Sequence, residues 1–167
     1  MGVYKYLEEK GLLPDVVVGT SIGAVNGAMI ASGLSAANLE HEWRQLTTDQ
    51  IQRLRLNPLE YFDRPSLLDN SPWVETLERQ INFHRVRTSS VVLRVVATDI
   101  RQGRAVVFRN EELTVRHILA SCSIPVVYPW SDIDGVQFWD GAVVANTPLR
   151  PAIDEGAEDI YVVLLSP

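Results

Sequence analysis

Residues 19–23 read Gly19-Thr20-Ser21-Ile22-Gly23, one hydroxyl between two glycines at the spacing Gly-x-Ser-x-Gly. Val16, Val17 and Val18 precede the segment, and Ala24, Gly27, Ala28 and Ala31 follow at helical spacing. A strand that turns abruptly into a helix here lifts a single side chain clear of the backbone, where its oxygen can attack a carbonyl carbon. A β-carbon at Gly19 or at Gly23 is expected to crowd that turn. The five residues alone also fit a turn that merely contains serine. The buried-type strand before them and the helix pattern after them supply the context a nucleophile needs.

A serine hydroxyl reacts only when a base takes its proton. Ser21, Asp99 and His117 stand in the chain order of a serine–acid–histidine triad. His117 falls among apolar helical neighbours, however, where a structural, partly exposed histidine is the ordinary outcome. The alternative is a carboxylate that acts directly. Asp140 ends an apolar strand and Gly141 follows it, which allows a tight backbone path. No histidine follows Asp140, so it cannot be the middle member of a triad in the α/β-hydrolase order. As a direct base it would meet Ser21 where strand ends gather at one edge of a sheet. Aspartate at a strand end is also a common turn residue, and spacing alone leaves both roles open.

These residues need elements to hold them. Val16–Val18 is a continuous β-branched run, expected as a strand buried on both faces. Val91–Ala97 and Ile160–Leu165 read as further strands of that type. Arg101-Gln102-Gly103 and Asp134-Gly135 read as hairpin turns, the second between residues 131–133 and 136–139. Helices are expected over residues 3–10, with Val3, Tyr6 and Leu7 on one face and Gly11 as the stop. More follow after Ser21 as far as Gly33, from Ser35 to about Leu56, from Pro72 with Trp73, Leu77 and Ile81 inward, over Glu111–Ser121, and from Pro148 to Glu155. Residues 57–71 and 143–147 read as loops, the first with apolar anchors suited to lining an acyl pocket. Strands of this kind alternating with helices indicate an α/β fold with a mainly parallel sheet.

At 167 residues the chain suits one domain, and 46% hydrophobic with 22% charged residues is ordinary for a globular protein. A net charge of −6 argues against nucleic acid as a partner and against electrostatic docking on anionic membranes. It leaves apolar contact with lipid open. The one cysteine, Cys122, permits no intrachain disulfide and is expected as a small core residue. His41, His84 and His117 are scattered without metal-ligand spacing, so no metal or cofactor is expected. No apolar run approaches the roughly 20 residues of a membrane span, and the first residues lack a signal-peptide pattern. A cytoplasmic place, with membrane association open, is the expectation.

Taken together, several segments resemble the patatin-like phospholipases. Gly19-Thr20-Ser21-Ile22-Gly23-Ala24 with Asn26-Gly27-Ala28 is similar to their nucleophile elbow. Asp140-Gly141-Ala142 with Asn146-Thr147-Pro148-Leu149 is similar to their Asp-Gly-Gly or Asp-Gly-Ala motif and its tail. Ala120-Ser121-Cys122-Ser123-Ile124-Pro125 resembles their Ala-Ser-x-Ala-x-Pro block, and Ala97-Thr98-Asp99 is also family-like. The resemblance spans the chain in the expected order. It implies a three-layer α/β/α fold and a dyad of Ser21 as nucleophile and Asp140 as base, without histidine or metal. The implied reaction is hydrolysis of fatty acyl esters of phospholipids or related lipids, with peripheral membrane contact open to such a protein.

One feature of the family is not matched. Its glycine-rich loop, which follows a first strand and supplies oxyanion donors, would precede the elbow, and Met1-Gly2-Val3-Tyr4 matches only the helix after that loop. The expectation is therefore an incomplete patatin-like domain over residues 1–167 that lacks the first strand and the loop. The backbone N–H of Ile22 is then the one oxyanion donor that can be placed, and the unpaired sheet edge invites homo-oligomers. A catalytically impaired remnant that binds lipid or a protein partner is the alternative to an active hydrolase. An acyltransferase using the same acyl-enzyme is a third.

Overall fold

The computed structural model describes residues 2–55 and 65–164. In chain order the first elements are α1 (Gly2–Glu9), β1 (Val16–Thr20), α2 (Ile22–Ala31), α3 (Ala36–Gln45), β2 (Arg53–Leu54), β3 (Leu68–Asp69) and α4 (Ser71–Gln80). Then come α5 (Phe83–Arg87), β4 (Val92–Asp99), β5 (Arg104–Arg109), α6 (Val115–Ser121), β6 (Ser131–Ile133), β7 (Val136–Asp140), α7 (Ala142–Ala145) and α8 (Arg150–Asp154).

β4 is the axis of the sheet, buried from Leu93 to Asp99. It pairs in parallel with β1, from Val16↔Val92 to Thr20↔Val96. It pairs antiparallel with β5 over Arg94 to Asp99 and with β7 over Ala97 to Asp99. β5 fills one edge of β4 along that whole stretch, so β1 and β7 must share the other edge. They run towards each other, and their C-terminal ends meet at the step from Val96 to Ala97, where Thr20 and Asp140 are the paired residues.

Side chains alternate along a strand. Leu93, Val95 and Ala97 enter the core with Ala24, Val25, Ala28 and Met29 of α2, Leu77 of α4, Val86 of α5 and Ile118 of α6. Arg94 lies on the opposite face, where its guanidinium meets Glu155, just past α8, at 2.6 Å. α7 and α8 contact β4 and β1 respectively. The result is a three-layer α/β/α arrangement. The small residues of α2 make close approach possible: a β-carbon on Gly27 would come within 2.8 Å of Leu93 Cδ1 and 3.0 Å of Val17 Cγ1.

The α/β class, the central parallel pair, both hairpin turns and the helices starting at residues 22 and 71 follow the sequence expectations. Asp134 and Gly135 take φ of 52° and 81°, as a two-residue hairpin of type I′ requires. The other pairings of the central sheet among the described residues are antiparallel, because hairpins rather than crossovers deliver β5 and β7.

Several elements differ from expectation. In α1, Tyr4 rather than Val3 and Tyr6 packs on the core, its hydroxyl donating to the Leu34 carbonyl at 3.3 Å. The helix after Ser35 stops at Gln45 because Leu46 turns extended. The helix expected over Glu111–Ser121 divides at Leu113, where an extended residue separates a short 3-10 turn from α6. Residues 142–145 form a helical turn instead of a loop. Val16–Val18 are half-buried rather than enclosed, since β1 pairs only with β4 among the described residues. Ile160–Leu164 forms no strand: it is exposed, from 40% at Ile160 to 62% at Leu164, and pairs with no strand among the described residues. Most of the loop at 57–71, from residue 57 to 64, lies outside the described residues, as does Leu165.

Candidate active site at the meeting of two strand ends

β1 ends at Thr20 and α2 begins at Ile22, so Ser21 alone makes the turn. It does so at φ 54° and ψ −127°, a left-handed conformation that side chains other than glycine rarely take. The elbow is tight at Gly19: a β-carbon there would overlap the Gly23 carbonyl and lie 2.6 Å from the Ala24 nitrogen. Gly23 corrects the sequence expectation. A β-carbon on it meets nothing within 4 Å. Its backbone is what crowds Gly19, so only the first glycine is demanded by space.

Asp140 arrives from the other direction. It is 3% exposed and held at three points. Its N–H donates to the Ser123 carbonyl at 2.8 Å, its carbonyl accepts from Thr98 Oγ1 at 2.9 Å, and Oδ1 accepts from the Ala142 N–H at 2.8 Å. The other oxygen, Oδ2, is buried and has no hydrogen-bond partner among the described residues. Burial raises the carboxyl above the ordinary aspartate value, and the neighbouring Ser21 hydroxyl and the Ala142 N–H oppose that rise. Gly141 is required by space, since a β-carbon would overlap the Val96 carbonyl and lie 3.1 Å from Thr20 Cγ2. Thr20 Oγ1 donates to the Ala145 carbonyl at 3.3 Å, tying the elbow to the turn after Asp140. The sheet register thus brings Ser21 and Asp140 side by side.

Cys122 is buried as expected and lies against both residues. Burial pushes its thiol well above the usual range, the Asp140 carboxylate adds to that, and the Ser21 hydroxyl opposes it. The thiol is therefore protonated and unreactive.

Asp99 and His117 are not brought to Ser21. Asp99 Oδ1 accepts the Gln102 N–H in the β4–β5 turn. His117 Nδ1 accepts the Thr114 N–H at 3.2 Å, and its ring packs edge-on against Phe108. Burial lowers its pKa, with Glu112 and Asp134 opposing. Ile22 is the first residue of α2, where a backbone N–H has no intrahelical acceptor and is free to meet an anion. Among the described residues no group of three His, Cys, Asp or Glu is placed to hold a metal ion.

The family model of the patatin-like phospholipases matches residues 1–153. The chain belongs to the patatin-like phospholipase family. It is 26% identical to the uncharacterised protein YqhO of Bacillus subtilis, over 99% of this chain and 66% of that protein. An uncharacterised NTE family protein of Mycobacterium tuberculosis is 27% identical over 99% of this chain and 45% of its own length. Patatin-like phospholipase domain-containing protein 6 of Homo sapiens is 27% identical over 98% of this chain and 12% of its own length. The chain therefore spans between about an eighth and two-thirds of these relatives. Membership points to lipid hydrolysis as the general class of function. No helix among the described residues is long and apolar enough to cross a membrane.

Ser21 and Asp140 are the residues the sequence singles out, whereas the hydroxyls that hold them carried no expected role. Ser121 and Thr98 are at most 2% exposed, and their hydroxyls bond the Ser21 N–H and the Asp140 carbonyl respectively. Ser123, also buried, holds the Asp140 N–H through its backbone carbonyl while its hydroxyl donates to the Leu119 carbonyl. The visible signal was polar residues at core positions in Ala120-Ser121-Cys122-Ser123.

Proposed function

We propose that the protein is a lipid acyl hydrolase working through a Ser21–Asp140 dyad, with phospholipids or related fatty acyl esters as substrates. The observation that carries this is the buried, unpartnered Oδ2 of Asp140 beside the elbow serine. A carboxylate oxygen with no other partner is free to accept the hydroxyl proton, and a raised pKa makes it a stronger base than an exposed aspartate. Ser21 Oγ attacks the ester carbonyl while its proton passes to Asp140. The tetrahedral oxyanion is met by the Ile22 N–H. Collapse expels the alcohol, which takes the proton from Asp140, and leaves the acyl group on Ser21. Asp140 then deprotonates a water that attacks the acyl-enzyme. The second collapse releases the fatty acid, and the proton returns to Ser21 Oγ.

Cleavage of a short-chain aryl ester tests the dyad. Ser21→Ala and Asp140→Asn each abolish turnover, whereas His117→Asn retains it; full activity in Ser21→Ala refutes the proposal. One observation supports a second reading, a catalytically impaired protein that binds lipid or a partner: among the described residues, Ile22 is the one oxyanion donor identified at the elbow. Loss of one such donor costs on the order of a hundredfold or more. A fluorophosphonate probe separates the two, since rapid labelling of Ser21 favours the hydrolase and none on folded protein favours the binder. Product analysis with added alcohol acceptors distinguishes hydrolase from acyltransferase.

A further inference from the structure

We propose that Ser121 is a positioning residue for Ser21: its hydroxyl pins the strained elbow to the central strand and so sets the direction of the nucleophile. The inference rests on Ser21 being the nucleophile.

Ser121 is the last residue of α6 and is fully buried. Its Oγ accepts the backbone N–H of Ser21 at 2.9 Å and donates its own proton to the Val96 carbonyl at 2.6 Å. That proton is therefore committed, and Ser121 is excluded as a second nucleophile or general acid. Val96 is the β4 residue paired with Thr20, next to the step at which Asp140 pairs with Ala97. The hydroxyl thus fastens Ser21 to the strand that aligns both halves of the dyad.

The fastening matters because of where Ser21 sits. Its left-handed conformation is disfavoured, and such a conformation persists only where surrounding bonds over-determine it. Along the backbone, the strand ladder ends at Thr20 and the helix begins at Ile22. The Ser21 N–H falls in the gap, and Ser121 is its partner. Two residues on, the Ser123 carbonyl accepts the Asp140 N–H. The turn that leaves α6 therefore grips the backbone of both dyad members, Ser21 through a side chain and Asp140 through a carbonyl. This gives the Ala120–Pro125 segment a physical role independent of substrate contact. It also withdraws the Ser21 N–H from the oxyanion site, leaving that task to Ile22.

The test is steady-state hydrolysis of an aryl ester, with fluorophosphonate labelling and thermal melting of each variant. Ser121→Ala should lower kcat and the labelling rate about 10- to 100-fold, the loss expected when a reacting atom is misplaced by about 1 Å, with KM within about twofold of wild type. Ser32→Ala is the control. It removes another buried hydroxyl, one that donates to the Met29 carbonyl at the far end of α2; it should lower the melting temperature and leave kcat unchanged. If Ser121→Ala does not fold, Ser121→Cys fills the site with a slightly larger side chain and supplies only a weak acceptor, and the same loss in kcat is expected. Ser21-dependent turnover that either folded variant leaves within about twofold of wild type overturns this inference alone. Absence of Ser21-dependent turnover in wild type overturns the nucleophile assignment and this inference with it.

Discussion

Ser21 carries a backbone cost that can be measured apart from its chemistry. At φ 54° and ψ −127° its β-carbon lies in a region costing about 1–3 kcal/mol for any residue but glycine. Ser21→Ala and Ser21→Gly both delete the hydroxyl, and both leave the backbone N–H bonded to Ser121. They differ only in the β-carbon. At an ordinary position the glycine variant is the weaker by about 0.4–1 kcal/mol, because glycine leaves the unfolded chain freer. Here relief of about 1–3 kcal/mol opposes that loss, so Ser21→Gly should exceed Ser21→Ala by roughly 0.5–2 kcal/mol. Urea unfolding of the two variants is the assay. With a slope of about 2 kcal/mol/M the glycine midpoint should be higher by about 0.3–1 M, at equal slope. A lower midpoint for Ser21→Gly than for Ser21→Ala would mean that the elbow is unstrained, and the argument for its strain would fail.

The two motif glycines should separate in the same assay. Gly19→Ala, which drives a β-carbon into the Gly23 carbonyl, should destabilise by about 1–3 kcal/mol or more, whereas Gly23→Ala, open to 4 Å in the first turn of α2, should be neutral or stabilising; equal losses would refute the distinction. Asp140 gives a pH signature. Its folded-state pKa is raised, so the folded protein holds the proton more tightly than the unfolded chain; the resulting stability is present below the unfolded value and lost as pH rises through the folded one. Asp140→Asn keeps the oxygen that meets the Ala142 N–H and removes the charge. It should melt higher than wild type at neutral pH, the gap closing as pH falls, while wild-type kcat/KM falls over the same range; a gap independent of pH would show that the carboxyl is not perturbed by folding.

Much of the site was legible because its demands are local. A valine run, a glycine that must lie against the next turn, and small residues at helical spacing specify the elbow within a dozen positions. Asp140-Gly141 was legible as a strand end followed by glycine, although what demands that glycine is not local: the Val96 carbonyl of β4 presses on Gly141. The bonds that hold the pair were not legible. Ser121 lies 100 residues from Ser21, and a buried serine looks the same in sequence whether it caps its own helix or another element. Strand direction was hidden for a similar reason. Val92–Asp99 announces a buried strand, but β7 arrives antiparallel through a hairpin whose position on β4 is set by the edge β5 leaves open.

That edge also explains the contrast between the two apolar segments whose burial was misjudged. Val16–Val18 and Ile160–Leu164 have the composition of strands enclosed on both sides. Composition records the environment a segment is suited to, whereas pairing depends on a neighbour being present. β1 has one neighbour, β4, and its valines are half-buried; Ile160–Leu164 has none among the described residues and is exposed throughout. β4, paired along both edges, is buried at seven successive residues from Leu93 to Asp99. The geometry of the proposed dyad depends on this best-enclosed strand, because Thr20 and Asp140 are both read off its register. The positions of Ser21 and Asp140 are therefore insulated from the far edge of β1, unpaired among the described residues, and a perturbation there should reach the site only if it shifts β1 along β4.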